Sequence, residues 1–138
     1  MPAVSEGRRW EQMPEIKSHC ALLADRHPGL TEGIRGLLES RFETVVIVAD
    51  PHSLLTSARR LQPDVALVDL SLTRSTNLEW LADLHDQCPD VKVVVLSVHD
   101  APGVRRAVMA AGASGFVPKA AIVAELLPTL EALLEPAH

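Results

Sequence analysis

From His19 onward the chain alternates between short unbroken apolar runs and segments whose apolar positions recur at a spacing near 3.6. The runs are CALLA (20–24), TVVIVA (44–49), DVALVD (64–69), VKVVVLS (91–97) and SGFV (114–117). They are aliphatic throughout rather than alternating, which predicts strands covered on both faces. Between them, Leu30, Ile34, Leu37 and Leu38 mark a first amphipathic helix. Leu54, Leu55, Ala58 and Leu61 mark a second, with Asp50 and Pro51 as its start signal. Leu78, Leu81 and Leu84 mark a third, and Val104, Ala107, Val108 and Ala111 a fourth that Gly112 can end. Leu126, Leu127, Leu130, Leu133 and Leu134 mark the fifth.

Five strands alternating with five helices imply a parallel sheet with right-handed crossovers. The chain is too short for an eight-unit barrel, and it contains no internal repeat. The expected fold is an α/β, flavodoxin-like, doubly wound five-stranded parallel sheet of order 2-1-3-4-5 with five helices. Functional groups of such sheets collect at the C-terminal strand ends. Residues 1–18 show no sustained period and are expected to be an N-terminal extension, residues 19–135 the domain, and 136–138 a tail or the start of a linker.

Composition narrows the choice of function. The 138 residues suit one domain. With two Trp, two Phe and no Tyr, the core must be aliphatic, and ring-stacking platforms for bases or flavins are disfavoured. A formal charge of −5 is no match for DNA or an anionic membrane. Two cysteines make no disulfide framework and suggest a reducing cytoplasm. No apolar run reaches the length of a membrane span, so no membrane partner is expected.

The strand ends carry the candidate chemistry. The first strand ends at Asp25, the third at Asp69, the fourth at Ser97, and the fifth runs into Lys119. Any one of these could be an ordinary loop residue or helix cap. Two carboxylates, a hydroxyl and an amine at four of five strand exits weigh against that for the set.

These residues lie in segments that resemble the receiver domains of two-component response regulators, in the branch that carries a C-terminal helix-turn-helix. The carrying segments are ADRHPGLTEGIRGLLES (24–40), PDVALVDLSL (63–72), VVVLSVHD (93–100) and AAGASGFVPK (110–119). The resemblance implies a phosphoryl switch. Asp69 would be the nucleophile, taking a phosphoryl group from a phosphohistidine of a partner kinase. Lys119 would pair with the phosphoryl oxygens. Ser97 would hydrogen-bond another of them and let Phe116 turn inward, remodelling the face made by the fourth helix and fifth strand. It also implies Mg²⁺ held by Asp25, Asp69 and the backbone carbonyl of Ser71. Partners would be a histidine kinase or other regulator and a second copy through the fourth and fifth helices. DNA would be reached only through a C-terminal domain.

Arg26 departs from that pattern. The family places a second acid there, usually a direct magnesium ligand, and a guanidinium has no lone pair to give. Mg²⁺ binding is therefore expected to be weak or absent, and phosphorylation impaired. Turned inward, Arg26 would pair with Asp69 and stand in for the metal's charge. Turned outward, it would leave Asp25 and Asp69 with weak magnesium binding. The cost of burying an unpaired arginine favours the inward position.

Other departures are Leu72, Thr73 and Asn77, where the family often has Met, Pro and Gly, and Pro118 ahead of Lys119, with either isomer of the Val117–Pro118 bond open. His27, His52, His85 and His99 lack ligand spacing and read as solvated or packing residues. Rival readings are a flavodoxin-like cofactor binder and a small phosphotransferase using Asp69. The first would need a Ser/Thr/Gly-rich phosphate loop, which DRHPGL is not. The second usually carries an acid where Ser71 stands.

Overall fold

The computed structural model describes residues 18–73 and 77–134. Among them the elements run β1 (Ser18–Ala24), α1 (Pro28–Glu39), β2 (Phe42–Val48), α2 (Pro51–Leu61), β3 (Val65–Asp69), a 3₁₀ turn (Leu70–Thr73), α3 (Glu79–Gln87), β4 (Lys92–Ser97), α4 (Pro102–Ala110), β5 (Gly115–Pro118), a second 3₁₀ turn (Lys119–Ala121) and α5 (Ile122–Leu134). The strands form one parallel sheet in the order β2-β1-β3-β4-β5, as the alternation predicts. The first 17 residues of the expected N-terminal extension, and the expected tail at 136–138, lie outside the described residues.

Each strand feeds two cores because successive side chains leave opposite faces of the sheet. Leu22, Ala24, Ala66, Val68, Val93 and Val95 face α2, α3 and α4, packing on Leu54, Ala58, Leu81, Leu84 and Val108. Ala21, Leu23, Val65, Leu67, Val94 and Leu96 face α1 and α5, packing on Ile34, Leu38, Ile122, Leu126 and Leu130. Each fully buried leucine contributes on the order of 1.5–3 kcal/mol, so these two aliphatic layers hold the strand ends in place. One expectation needs correcting: β2 is covered only in part on its two faces. It is one of the two edge strands, with Glu43 and Thr44 exposed and Val45 to Val48 only half-buried.

Local signals set the helix limits. The Asp50 side chain caps α2, accepting from Ser53 N at 2.8 Å, and Pro51 opens the helix. Gly112 adopts φ +117, which ends the α4 segment as expected. Leu78 is the N-cap residue of α3 rather than part of its helical stripe. The described peptide bonds are all trans, including Val117–Pro118.

Register decides what meets at the C-terminal edge of the sheet. Ala24 lies beside Val68, Asp69 beside Leu96, and Ser97 beside Pro118. Asp25, Asp69, Ser97 and Lys119 therefore leave four adjacent strands at the same edge of the sheet, within two residues of one level.

Candidate functional site

Asp25 and Asp69 are 3% and 2% exposed, and Lys119 is buried between them. Lys119 Nζ lies 3.0 Å from Asp25 Oδ2 and 3.2 Å from Asp69 Oδ2. Two buried carboxylates cost free energy unless a cation and hydrogen-bond donors reach them. Lys119 supplies the cation because β5 delivers it from the neighbouring sheet edge.

The loop after β1 supplies donors. Asp25 Oδ1 accepts from the backbone N–H of His27 at 2.9 Å, an Asx-type turn that tightens residues 25–27. The His27 carbonyl then accepts from Thr31 N at 3.0 Å and Thr31 Oγ1 at 2.8 Å, at the head of α1. With its backbone held at both ends, His27 brings Nδ1 to 3.0 Å from Asp25 Oδ1 and 3.4 Å from Asp69 Oδ2. Burial by itself would push the Asp25 carboxyl up. The His27 N–H, the bond and charge of Lys119, and the His27 ring outweigh it and hold Asp25 below the usual carboxylate range.

Asp69 is engaged unevenly. Its Oδ2 takes the Ser71 hydroxyl at 2.9 Å besides Lys119 and His27, whereas among the described residues its Oδ1 accepts only a long bond of 3.3 Å from Ser71 N. Ser71 sits on the 3₁₀ turn that follows β3, which keeps its main chain beside the carboxylate. A cavity of about 440 Å³ opens onto Asp69, Ser71 and Ser97 and continues along Leu78, Val104 and Val108. The Ser97 hydroxyl, buried at the end of β4, accepts from His99 N at 2.9 Å. Phe116 is buried at 4% exposure in the core beneath α4, with the Arg105 guanidinium 4.8 Å from its ring centroid.

The structure thus brings together Asp25, Asp69, Ser71, Ser97 and Lys119, and it corrects two readings. Arg26 is half-buried and makes no ion pair with Asp69 or Asp25 among the described residues. The inward pairing is not what forms, since Lys119 and His27 already occupy that side of Asp69. His27 is no mere solvated histidine. Asp25, His27 and Asp69 place three possible ligating atoms within 4.8 Å of one another. His52, His85 and His99 are exposed, as expected, and Trp80 is core. Trp10 lies outside the described residues.

The family model of the response regulator receiver domain matches residues 21–131, from β1 to within α5. The chain belongs to the response regulator receiver domain family. Among curated proteins this receiver is 34% identical over 111 residues to the transcriptional regulatory protein DegU of Brevibacillus brevis, covering 79% of this chain and 47% of that protein. It is 33% identical over 109 residues to the nitrate/nitrite response regulator protein NarP of Escherichia coli, covering 78% and 51%. The receiver thus spans about half the length of these relatives. Among solved structures it is similar to an N-terminal signal receiver domain of a two-component response regulator from Bacteroides fragilis, with TM-score 0.78, 28% identity and coverage of 88% and 100%. It is also similar to a LuxR-family response regulator from Aurantimonas, with TM-score 0.76, 28% identity and coverage of 86% and 85%.

Receiver domains normally use Mg²⁺. That ion prefers an octahedral, all-oxygen shell and sheds its water reluctantly. Here the third side chain able to ligate beside the two carboxylates is an imidazole, and the side chain of residue 26 has no lone pair to give. The donor set is therefore a poor fit to Mg²⁺.

Proposed function

We propose that this receiver is a phosphoryl-accepting switch of a two-component system, with Asp69 as the acceptor and with Mg²⁺-dependent phosphorylation impaired. Asp69 Oδ1 attacks the phosphorus of a phosphohistidine, or of a small acyl phosphate. A P–O bond forms, the bond to the donor breaks, and the donor leaves with its electron pair. The ionised carboxylate needs no general base. The observation that carries the reading is the buried Asp69–Lys119 pair at 3.2 Å at the mouth of a cavity that Ser97 also lines. Lys119 stabilises the negative oxygens of the transferring group. Ser97 turns its hydroxyl to another of them.

Impairment follows from Arg26, which cannot take the place of a carboxylate ligand. The signal leaves through the face of α4, β5 and α5, around Phe116. A second copy fits the same face, because α4 carries Arg105 and Arg106 with no acid and α5 carries Glu125 with no base, its Glu131 being paired with Arg41. The partner upstream is a histidine kinase or other regulator. By analogy with the transcriptional regulators it resembles, DNA is reached through a C-terminal domain. The domain acts as a cytoplasmic switch rather than a turnover enzyme. No described helix is long and apolar enough to cross a membrane.

Intact mass after incubation with Mg²⁺ and acetyl phosphate tests this. Wild type is expected to gain one phosphoryl group slowly, Asp69→Asn none, and Arg26→Asp the same single group roughly tenfold faster. A gain by Asp69→Asn, or no gain by both wild type and Arg26→Asp, would overturn the proposal.

A further inference from the structure

We infer that the crevice selects a first-row transition ion over Mg²⁺, with the imidazole of His27 joining the carboxylates of Asp25 and Asp69 as its protein ligands. This choice of ion deepens the phosphoryl-switch reading above and rests on it only for the role of Asp69.

The two separations from His27 Nδ1 suit a coordination shell. Metal–ligand bonds of ~2.0–2.2 Å put neighbouring ligands about 3.0 Å apart at right angles and about 3.4 Å apart in a tetrahedron. His27 Nδ1 lies 3.0 Å from Asp25 Oδ1, a hydrogen bond whose proton an entering ion would replace, and 3.4 Å from Asp69 Oδ2. The ring arrives there on a backbone held by Asp25 and Thr31, so little ordering is needed when an ion enters. Asp25 divides its oxygens: Oδ2 faces Lys119 and Oδ1 faces His27. The ammonium and an ion on the His27 side thus address different atoms of Asp25, whereas at Asp69 they share Oδ2. The His27 side chain is 57% exposed, which leaves room for water or a phosphoryl oxygen at the remaining positions.

Donor chemistry sets the preference. Substituting an imidazole for a third carboxylate lowers the ligand charge from −3 to −2. That loss weakens the hold on Mg²⁺, for which nitrogen is a poor ligand. For Mn²⁺, Co²⁺ or Zn²⁺ the nitrogen makes good much of the loss, and affinity rises along the series from Mn²⁺ through Co²⁺. A guanidinium at position 26 adds nothing to either.

The test uses the full chain with no phosphodonor present. Co²⁺ is added and its visible d–d absorption followed, and Mg²⁺ and Mn²⁺ are titrated calorimetrically and in competition. Wild type is expected to bind Co²⁺ roughly 10–100-fold more tightly than Mg²⁺. His27→Asn is expected to lose most of that ratio by weakening Co²⁺, and His27→Asp to lose it by strengthening Mg²⁺. An exposed ring can be replaced without disturbing the core, and an unchanged far-UV circular dichroism spectrum verifies this. Equal or tighter Mg²⁺ binding, a ratio unaltered in His27→Asn, or no ion bound by wild type would each overturn the inference. Co²⁺ binding unaffected by Asp25→Asn would do so too. Phosphoryl transfer to Asp69 is read separately by mass, so failure of the ion choice leaves the switch standing and the reverse holds equally.

Discussion

Replacing Lys119 by methionine keeps most of the stem's volume and removes the ammonium that lies 3.0 Å from Asp25 and 3.2 Å from Asp69. Both carboxylates are almost fully buried, so water cannot readily take the ammonium's place. Stripping one partner from a buried ion pair costs about 3–5 kcal/mol, mostly the penalty of leaving charge unpaired. His27 Nδ1 and the His27 and Ser71 donors remain on the two acids, which places the expected loss near the lower end, about 3 kcal/mol. For a chain of this size that is a fall in Tm of roughly 10 °C. Urea unfolding at neutral pH, followed by far-UV circular dichroism, reads the loss as a lower midpoint with an unchanged slope. Adding Asp25→Asn to the Lys119→Met chain removes one of the unpaired charges and should recover about 1 kcal/mol or more. The deficit should also shrink as pH falls and Asp25 takes up its proton. A loss below about 1 kcal/mol at low salt, or no recovery in the double variant, would refute the view that Lys119 is what makes this acid pair tolerable.

Two further outcomes follow from single residues. Because Asp25 is held below the usual carboxylate range, its ionised form contributes stability that is complete above about pH 4 and is lost as pH falls through the lowered value. Asp25→Asn should therefore flatten the acid limb of the stability–pH curve, and urea midpoints measured from pH 7 down to pH 3 that keep the wild-type slope would contradict this. Gly112 sits at φ +117, where an added Cβ meets only His85 at 3.8 Å, so the cost of Gly112→Ala is conformational rather than steric. It should destabilise by about 1–2 kcal/mol in the same urea assay, and an unchanged or raised midpoint would count against it.

The apolar runs and the 3.6-residue periods sufficed for the five strands and the five helices, because each is a local repeat read directly by side-chain direction; the sheet order came from the commonest arrangement of small doubly wound sheets. They also placed Asp25, Asp69, Ser97 and Lys119 at strand exits, and the register set all four at one edge of the sheet. What local pattern missed was the partial exposure of β2, since an edge strand can be as aliphatic as a central one. It also missed the loop after β1. Spacing offered no reason to prefer His27 over Arg26, and charge alone favoured the arginine as partner of Asp69. The deciding contact is the bond from the His27 amide to Asp25 Oδ1. It bends three residues so that side chains 25 and 27 reach the same carboxylate pocket, while Lys119, 94 residues from Asp25 in sequence, fills the cationic place. The sequence determined which groups stand at the crevice. Only the folded loop and the distant strand decided which of them touch, because direction in a turn depends on its hydrogen bonds and an ion pair depends on what the rest of the chain brings within 4 Å.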